Sequence, residues 1–254
     1  MRGLFGSWAS EDGRNGISTP SPLEFAFNCD FDFKELYDGG ESYFSRTEDR
    51  INPGGYHPKT WYTNFIPDVN DEFVDDHTHK VSGGGLTGYR MAGGFPSGHI
   101  SEWPVGRYHK AHYHGPGAVL VGLKGRGYVN LWPRELGIHP WQDGHADQVV
   151  LVDWGPNSVY VPPDGWFHQH MSTGKVPARH VAVYGGSLPL MTRSADGDAG
   201  RGVYVPVREG GVLIDYEDED PEVRRYFVEA NRKEGVECTM PPVKYRTDPF
   251  ELVL

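Results

Sequence analysis

The sequence predicts an all-β fold, a sandwich or barrel of short antiparallel strands. Three observations carry this reading. From residue 86 onward, short runs rich in β-branched and aromatic residues follow one another at 86–92, 99–103, 108–114, 118–123, 127–132, 148–154, 158–161, 167–171 and 180–184. Gly- and Pro-rich turns separate most of them, with no helical periodicity between. Two of the runs also carry His-x-His pairs, His112/His114 and His168/His170. Side chains alternate across a strand, so each pair puts two imidazoles on one face.

The composition is that of a globular chain of 254 residues, 37% hydrophobic. Its net charge of −11 argues against nucleic acid or an anionic membrane as partner. No apolar run approaches the roughly 20 residues needed to span a bilayer, and the N-terminus lacks the apolar segment of a secretory signal. Cys29 and Cys238 read as two reduced thiols, and a cytoplasmic setting is expected.

Residues 1–84 read as an N-terminal arm. It is irregular but rich in aromatics, so it is expected to lie ordered on the barrel or on a partner subunit. A short helix near 31–37 and a strand at 61–66 are candidates within it. His77 and His79, in DDHTHK, have no strand pattern around them and read as a polar loop rather than a metal site. The break at 133–147 is expected to be a surface loop at the barrel mouth, where it would shape a pocket. Residues 187–254 form a C-terminal extension, with a possible hairpin pairing 203–207 with 212–215. A helix is expected at about 221–234: Asp220 is a plausible N-cap, Pro221 suits the first helical position and Gly235 a stop. Val223, Phe227 and Ala230 would form its apolar face. The acidic run 217–222 reads as a solvated complement to the helix dipole rather than a catalytic cluster.

Twelve histidines would produce roughly half a His-x-His pair by chance, so the pairs alone say little. Their surroundings say more. Gly106, His112, His114, Ala118 and Gly125 are spaced G-x5-H-x-H-x3-A-x6-G. This resembles the first signature motif of the cupin superfamily, with alanine in place of its glutamate. Pro163, Gly165 and His168 match the P-x-G-x2-H core of the second motif, while Asn157 stands where a leading glycine is expected and Ser172 where a closing asparagine is expected. The resemblance covers about residues 85–186.

It implies a cupin jelly-roll β-barrel at 85–186, flanked by the irregular arm and the helix-bearing extension, and a homodimer. Carried over residue by residue, it implies His112, His114 and His168 as metal ligands, with the fourth ligand position empty at Ala118. Two explanations compete: a decayed site in a binding module, or a three-histidine site like those of the thiol and β-diketone dioxygenase branches. Imidazoles in a barrel lumen are costly without partners, which favours the second. His170 shares the strand face of His168 and is the candidate catalytic group, as a pocket base or hydrogen-bond donor, with a fourth metal ligand as the alternative role; the P-x-G-x2-H register points to His168 as the ligand. Arg107, Gln169 and His180 are further polar candidates, and Tyr108, Tyr160, Trp166 and Tyr184 aromatic ones.

The expected cofactor is one divalent transition ion, Fe(II) first, with Mn, Ni, Cu or Zn as alternatives. Three neutral imidazoles leave its double charge intact, favouring a small anionic, chelating substrate such as an enolate, phenolate or hydroxy-acid. Dioxygenation is the leading reaction class. Metal-assisted isomerisation, lysis or decarboxylation is the alternative, and a non-enzymatic binding cupin the third reading. No G-x-G-x-x-G or P-loop fingerprint calls for a nucleotide.

Overall fold

The structure is a computed structural model, and it describes residues 45–47, 60–62, 66, 68–70, 82–90, 96–114, 118–185 and 205–252. Ten strands are present among these residues: β1 (Ser45–Thr47), β2 (Thr60–Tyr62), β3 (Gly85–Arg90), β4 (Pro96–Trp103), β5 (Val119–Lys124), β6 (Gly127–Pro133), β7 (Val150–Trp154), β8 (Val159–Tyr160), β9 (Trp166–Ser172) and β10 (Ala178–Gly185). One sheet has the order β1-β2-β3-β4-β10-β5-β8, and the other β7-β6-β9. All pairings are antiparallel except β2 with β3.

The stretch 107–114, expected as a strand over 108–114, is extended but irregular. It is joined to β9 by isolated bridges, Tyr108 to Met171 and His112 to His168, and to the C-terminal extension by a bridge from His112 to Leu213. Counted as a strand, it completes a second sheet ordered 107–114, β9, β6, β7, facing the four-strand core β4-β10-β5-β8. Eight strands divided equally between two facing sheets, with β6 and β7 the one consecutive pair that shares a sheet, make a jelly roll, the all-β architecture expected.

The second sheet is covered on both faces. β6 and β9 are buried along nearly their whole length, so neither shows inside–outside alternation. On the outer face, Tyr108, Tyr128 and Met171 pack against Val223, Phe227 and Met240 of the extension. The helix α1 (Pro221–Glu234) lies there, with Asp220 as N-cap accepting from Glu222 N and Gly235 closing its end. It buries Val223, Phe227 and Asn231, with Ala230 at the margin.

Three local expectations are corrected. The acidic run is not solvated: Asp218, Glu219 and Asp220 are all buried. Asp218 accepts from Arg208 and Arg246, and Asp220 Oδ2 accepts from Trp141 N and Gln142 N at 2.9 Å each. Loop 133–147 is therefore tied to the start of α1; it folds over the outer sheet, with Ile138 and Trp141 packed into the core there, and does not line the barrel mouth. The expected hairpin is instead a compact turn: Val207–Glu209 is a 3-10 helix, and Pro206 bridges Leu213 in parallel sense. The helix near 31–37, the pair His77/His79, Cys29 and positions 63–65 of the expected 61–66 strand lie outside the described residues, and Ile66 is not in a strand.

The motif positions that require a left-handed backbone have it. Gly106 sits at φ 72°, and a Cβ there would collide with the Glu237 carbonyl oxygen. Asn157, standing in for a glycine, has φ 69°. Asparagine is among the few non-glycine residues that adopt this region readily, which explains the departure from the motif. Asn157→Gly is expected to leave thermal stability nearly unchanged, whereas Asn157→Val, β-branched and strained at positive φ, should cost about 1–2 kcal/mol in chemical denaturation.

Candidate metal centre

The site is built where 107–114 meets β9. Tyr108 pairs with Met171, but His112 pairs with His168, so one extra residue lies between these bridges on the 107–114 segment. The backbone bonds agree: His109 N donates to His170 O, then His112 N donates to His168 O and His168 N to His112 O. This is a β-bulge, and a bulge re-aims side chains. It turns Tyr108 outward onto Phe227 while His109, His112 and His114 all line the cavity between the sheets. Strict alternation cannot put His109 and His112 on one face, so sequence reasoning misses His109; the sequence offers no signal for the bulge.

His112, His114 and His168 are brought together. All three are buried, and one ring nitrogen of each lies within 4.8 Å of the others. A metal–imidazole bond is ~2.1 Å, so one ion would join all three after ring movements of less than about 1 Å. Two tautomers are set by the backbone. His112 Nδ1 is 3.1 Å from Lys110 O and His168 Nδ1 is 3.2 Å from Trp166 O. A carbonyl only accepts, so each Nδ1 carries the proton and each Nε2 presents its lone pair, the orientation used by metal-binding histidines. The residues present therefore fit a divalent transition ion.

Ala118 lines the same cavity, as its place in the motif predicts, and no acidic side chain does so among the described residues. Leu86, Leu120 and Ala182 form an apolar wall. His170 and His180 also line the cavity, as does His99. Tyr160 reaches in between them: its hydroxyl is 3.0 Å from His170 Nδ1 and 3.2 Å from His180 Nδ1. Burial pushes the Tyr160 phenol well above its ordinary value, so it keeps its proton, and burial pulls His180 down to about 3, so its ring is neutral.

The other sequence candidates face elsewhere. Arg107 donates to Thr239 Oγ1 and Ser82 Oγ on the outside of the barrel. Gln169 points to the opposite face of β9, where its amide donates to Glu219 at 3.2 Å. Tyr108 donates to the same carboxylate from the outer side. Trp166 is half-buried at the start of β9 and does not line the cavity, and the Tyr184 side chain lies outside the described residues.

No protein-family model matches the sequence, and no curated protein matches it. Among solved structures, the chain is similar to oxalate decarboxylase from Lactobacillus farciminis, with 15% identity over 48% of this chain and 34% of that one at a TM-score of 0.35. It is similar to oxalate decarboxylase from Bacillus subtilis, with 10% identity over 47% and 28% at 0.35. It is also similar to vicilin from Corylus avellana, with 10% identity over 45% and 32% at 0.34. The chain thus spans about a third of these proteins, and likeness at this level assigns no activity.

Glu219 carries a pH signature. Burial, opposed by the Tyr108 hydroxyl, Arg224 and Gln169, pushes its carboxyl up to about 7. The folded chain thus binds this proton more tightly than the unfolded chain. The resulting stability is complete below about pH 4.5 and is lost as pH rises through about 7. The melting temperature is expected to fall across that interval, and Glu219→Gln, which stays neutral, should flatten the decline when melting is followed against pH.

Proposed function

We propose that the chain is a metal-dependent cupin enzyme, with His112, His114 and His168 holding one divalent transition ion, Fe(II) in the leading reading, and that it acts as a dioxygenase on a small anionic, chelating substrate. The observation that supports this is the convergence of three buried imidazoles, two with Nε2 presented by backbone-held Nδ1–H groups. When bound, the ion would supply Lewis acidity and, as Fe(II), a means of bringing dioxygen to the substrate. The residues around it do the rest. The three neutral ligands leave the ion's charge uncompensated, and the cavity adds no carboxylate among the described residues, so an enolate, phenolate or hydroxy-acid is favoured electrostatically. Leu86, Leu120 and Ala182 exclude water from one side. Homodimerisation and a cytoplasmic setting stand with this proposal.

A second reading, isomerase, lyase or decarboxylase, is favoured by one specific feature. His170 and His180, joined through Tyr160, are groups able to hold or move a proton beside the substrate, which oxygen insertion does not need but carbon–hydrogen or carbon–carbon chemistry does.

Protein purified without a histidine tag should carry about one equivalent of transition metal by elemental analysis, and His112→Ala or His168→Ala should lower it at least tenfold. Full occupancy in both variants excludes this centre. The reaction class is decided separately: the Fe(II)-loaded enzyme should consume oxygen only with a chelating anion present, followed at an oxygen electrode. Equal conversion under anaerobic conditions would establish the second reading instead.

A further inference from the structure

Among the described residues, His180 is one cavity group outside the three ligands that has no part in holding the ion. It is 1% exposed and lines the cavity opposite the ligand strand. Its ring is wedged edge-to-face between Trp103 and Trp154, at centroid distances of 4.9 and 4.2 Å. Its Nδ1 is occupied by the Tyr160 hydroxyl, while its buried Nε2 has no hydrogen-bond partner among the described residues. A buried polar atom left unpaired costs about 1–3 kcal/mol, so an occupant of the cavity that pairs with this nitrogen is stabilised by that contact.

The Tyr160 hydroxyl determines what that occupant is offered. It has one proton and lies within reach of two Nδ1 atoms, so it donates to one ring and accepts from the other. Accepting from both would leave its own buried proton unused. His170 and His180 are therefore opposite tautomers. If His180 donated through Nδ1, its Nε2 would carry a lone pair, which repels any anion that reaches it. The other direction runs from His170 Nδ1–H to Tyr160 oxygen, and from Tyr160 O–H to His180 Nδ1. It leaves a proton on His180 Nε2.

Resting on the metal-centre reading above, we propose that His180 is a substrate-binding residue: its Nε2–H donates to an acceptor atom of the chelated anion that does not touch the metal, and Tyr160 is the positioning residue that holds His180 in the donating tautomer. The substrate class narrows accordingly to small anions with two chelating atoms and a further acceptor, such as an α-oxo or α-hydroxy carboxylate.

Cobalt(II) and oxalate are suitable probes, because oxalate chelates through two oxygens and keeps two as acceptors. Cobalt absorption reports binding of both. His180→Phe, which keeps the ring between the two tryptophans, should leave cobalt stoichiometry unchanged and weaken oxalate about tenfold, the loss expected for one hydrogen bond to an anion. Tyr160→Phe should weaken oxalate by a smaller factor. Nitrogen-15 spectra of the metal-free protein should show His180 protonated at Nε2 and not at Nδ1, a signature that a purely packing role would not require. Unchanged oxalate affinity in folded His180→Phe, or a His180 protonated at Nδ1, overturns the proposal. Failure of the wild type to take up cobalt instead overturns the metal centre, and the tautomer measurement still decides the direction of the Tyr160 chain.

Discussion

One extra backbone residue between His109 and His112 is the constraint on which the site depends. Without it, His109 and Tyr108 would exchange faces, placing a phenol in the cavity and an imidazole in the outer core. The bulge persists because the segment that carries it is held on both edges. β9 pairs with it on one side, and on the other Ile214 N donates to Ala111 O while Tyr113 N donates to Val212 O. An edge strand would be free to slide a bulge along its length; a strand paired on both sides is not. The C-terminal extension, which contributes no described residue to the cavity lining, is thereby part of what fixes the ligand geometry.

β9 divides the chemistry into two layers. Its inward residues, His168 and His170, belong to a cavity of neutral imidazoles. Its outward residues, Phe167, Gln169 and Met171, belong to a packed outer core. The buried carboxylates Asp218, Glu219 and Asp220 all lie on that outer side, each with its own hydrogen-bond donors. A carboxylate in the cavity would compensate the charge of an ion there; one behind the strand, partnered by Tyr108 and Gln169, does so far less, because distance and local hydrogen bonds absorb its field. The acidity of the chain and a cavity lining without acidic groups among the described residues are thus compatible.

The legible part of the sequence is the part governed by local rules. Strand positions follow from apolar runs between turns, and the helix from Asp220, Pro221 and Gly235, because caps and turns are decided by near neighbours. His112, His114 and His168 are legible through the resemblance of their spacing to the two cupin motifs, which names positions close together in sequence. What escapes depends on contacts distant in sequence. His109 requires the bulge. Asp218 to Asp220 look like a surface run because charge pattern alone does not reveal Arg208, Arg246 and the loop amides that receive them. Loop 133–147 looks like a pocket rim because nothing local says that Trp141 will pack beneath α1.

Ala118 and Asn157 show how departures from a motif differ in kind. At position 157 the motif asks for a backbone conformation, and asparagine supplies it, so the substitution is conformationally conservative although the side chain changes. At position 118 the motif asks for a ligand, and alanine supplies only a methyl group on the cavity wall. The backbone around it is unchanged in purpose: Ala118 packs with Leu120, Ala182 and Tyr160, filling space that a longer side chain would occupy. Relative to the motif that the chain resembles, the difference is therefore confined to charge and to one coordination position. Beside Ala118 three imidazoles converge, two of them oriented by backbone carbonyls.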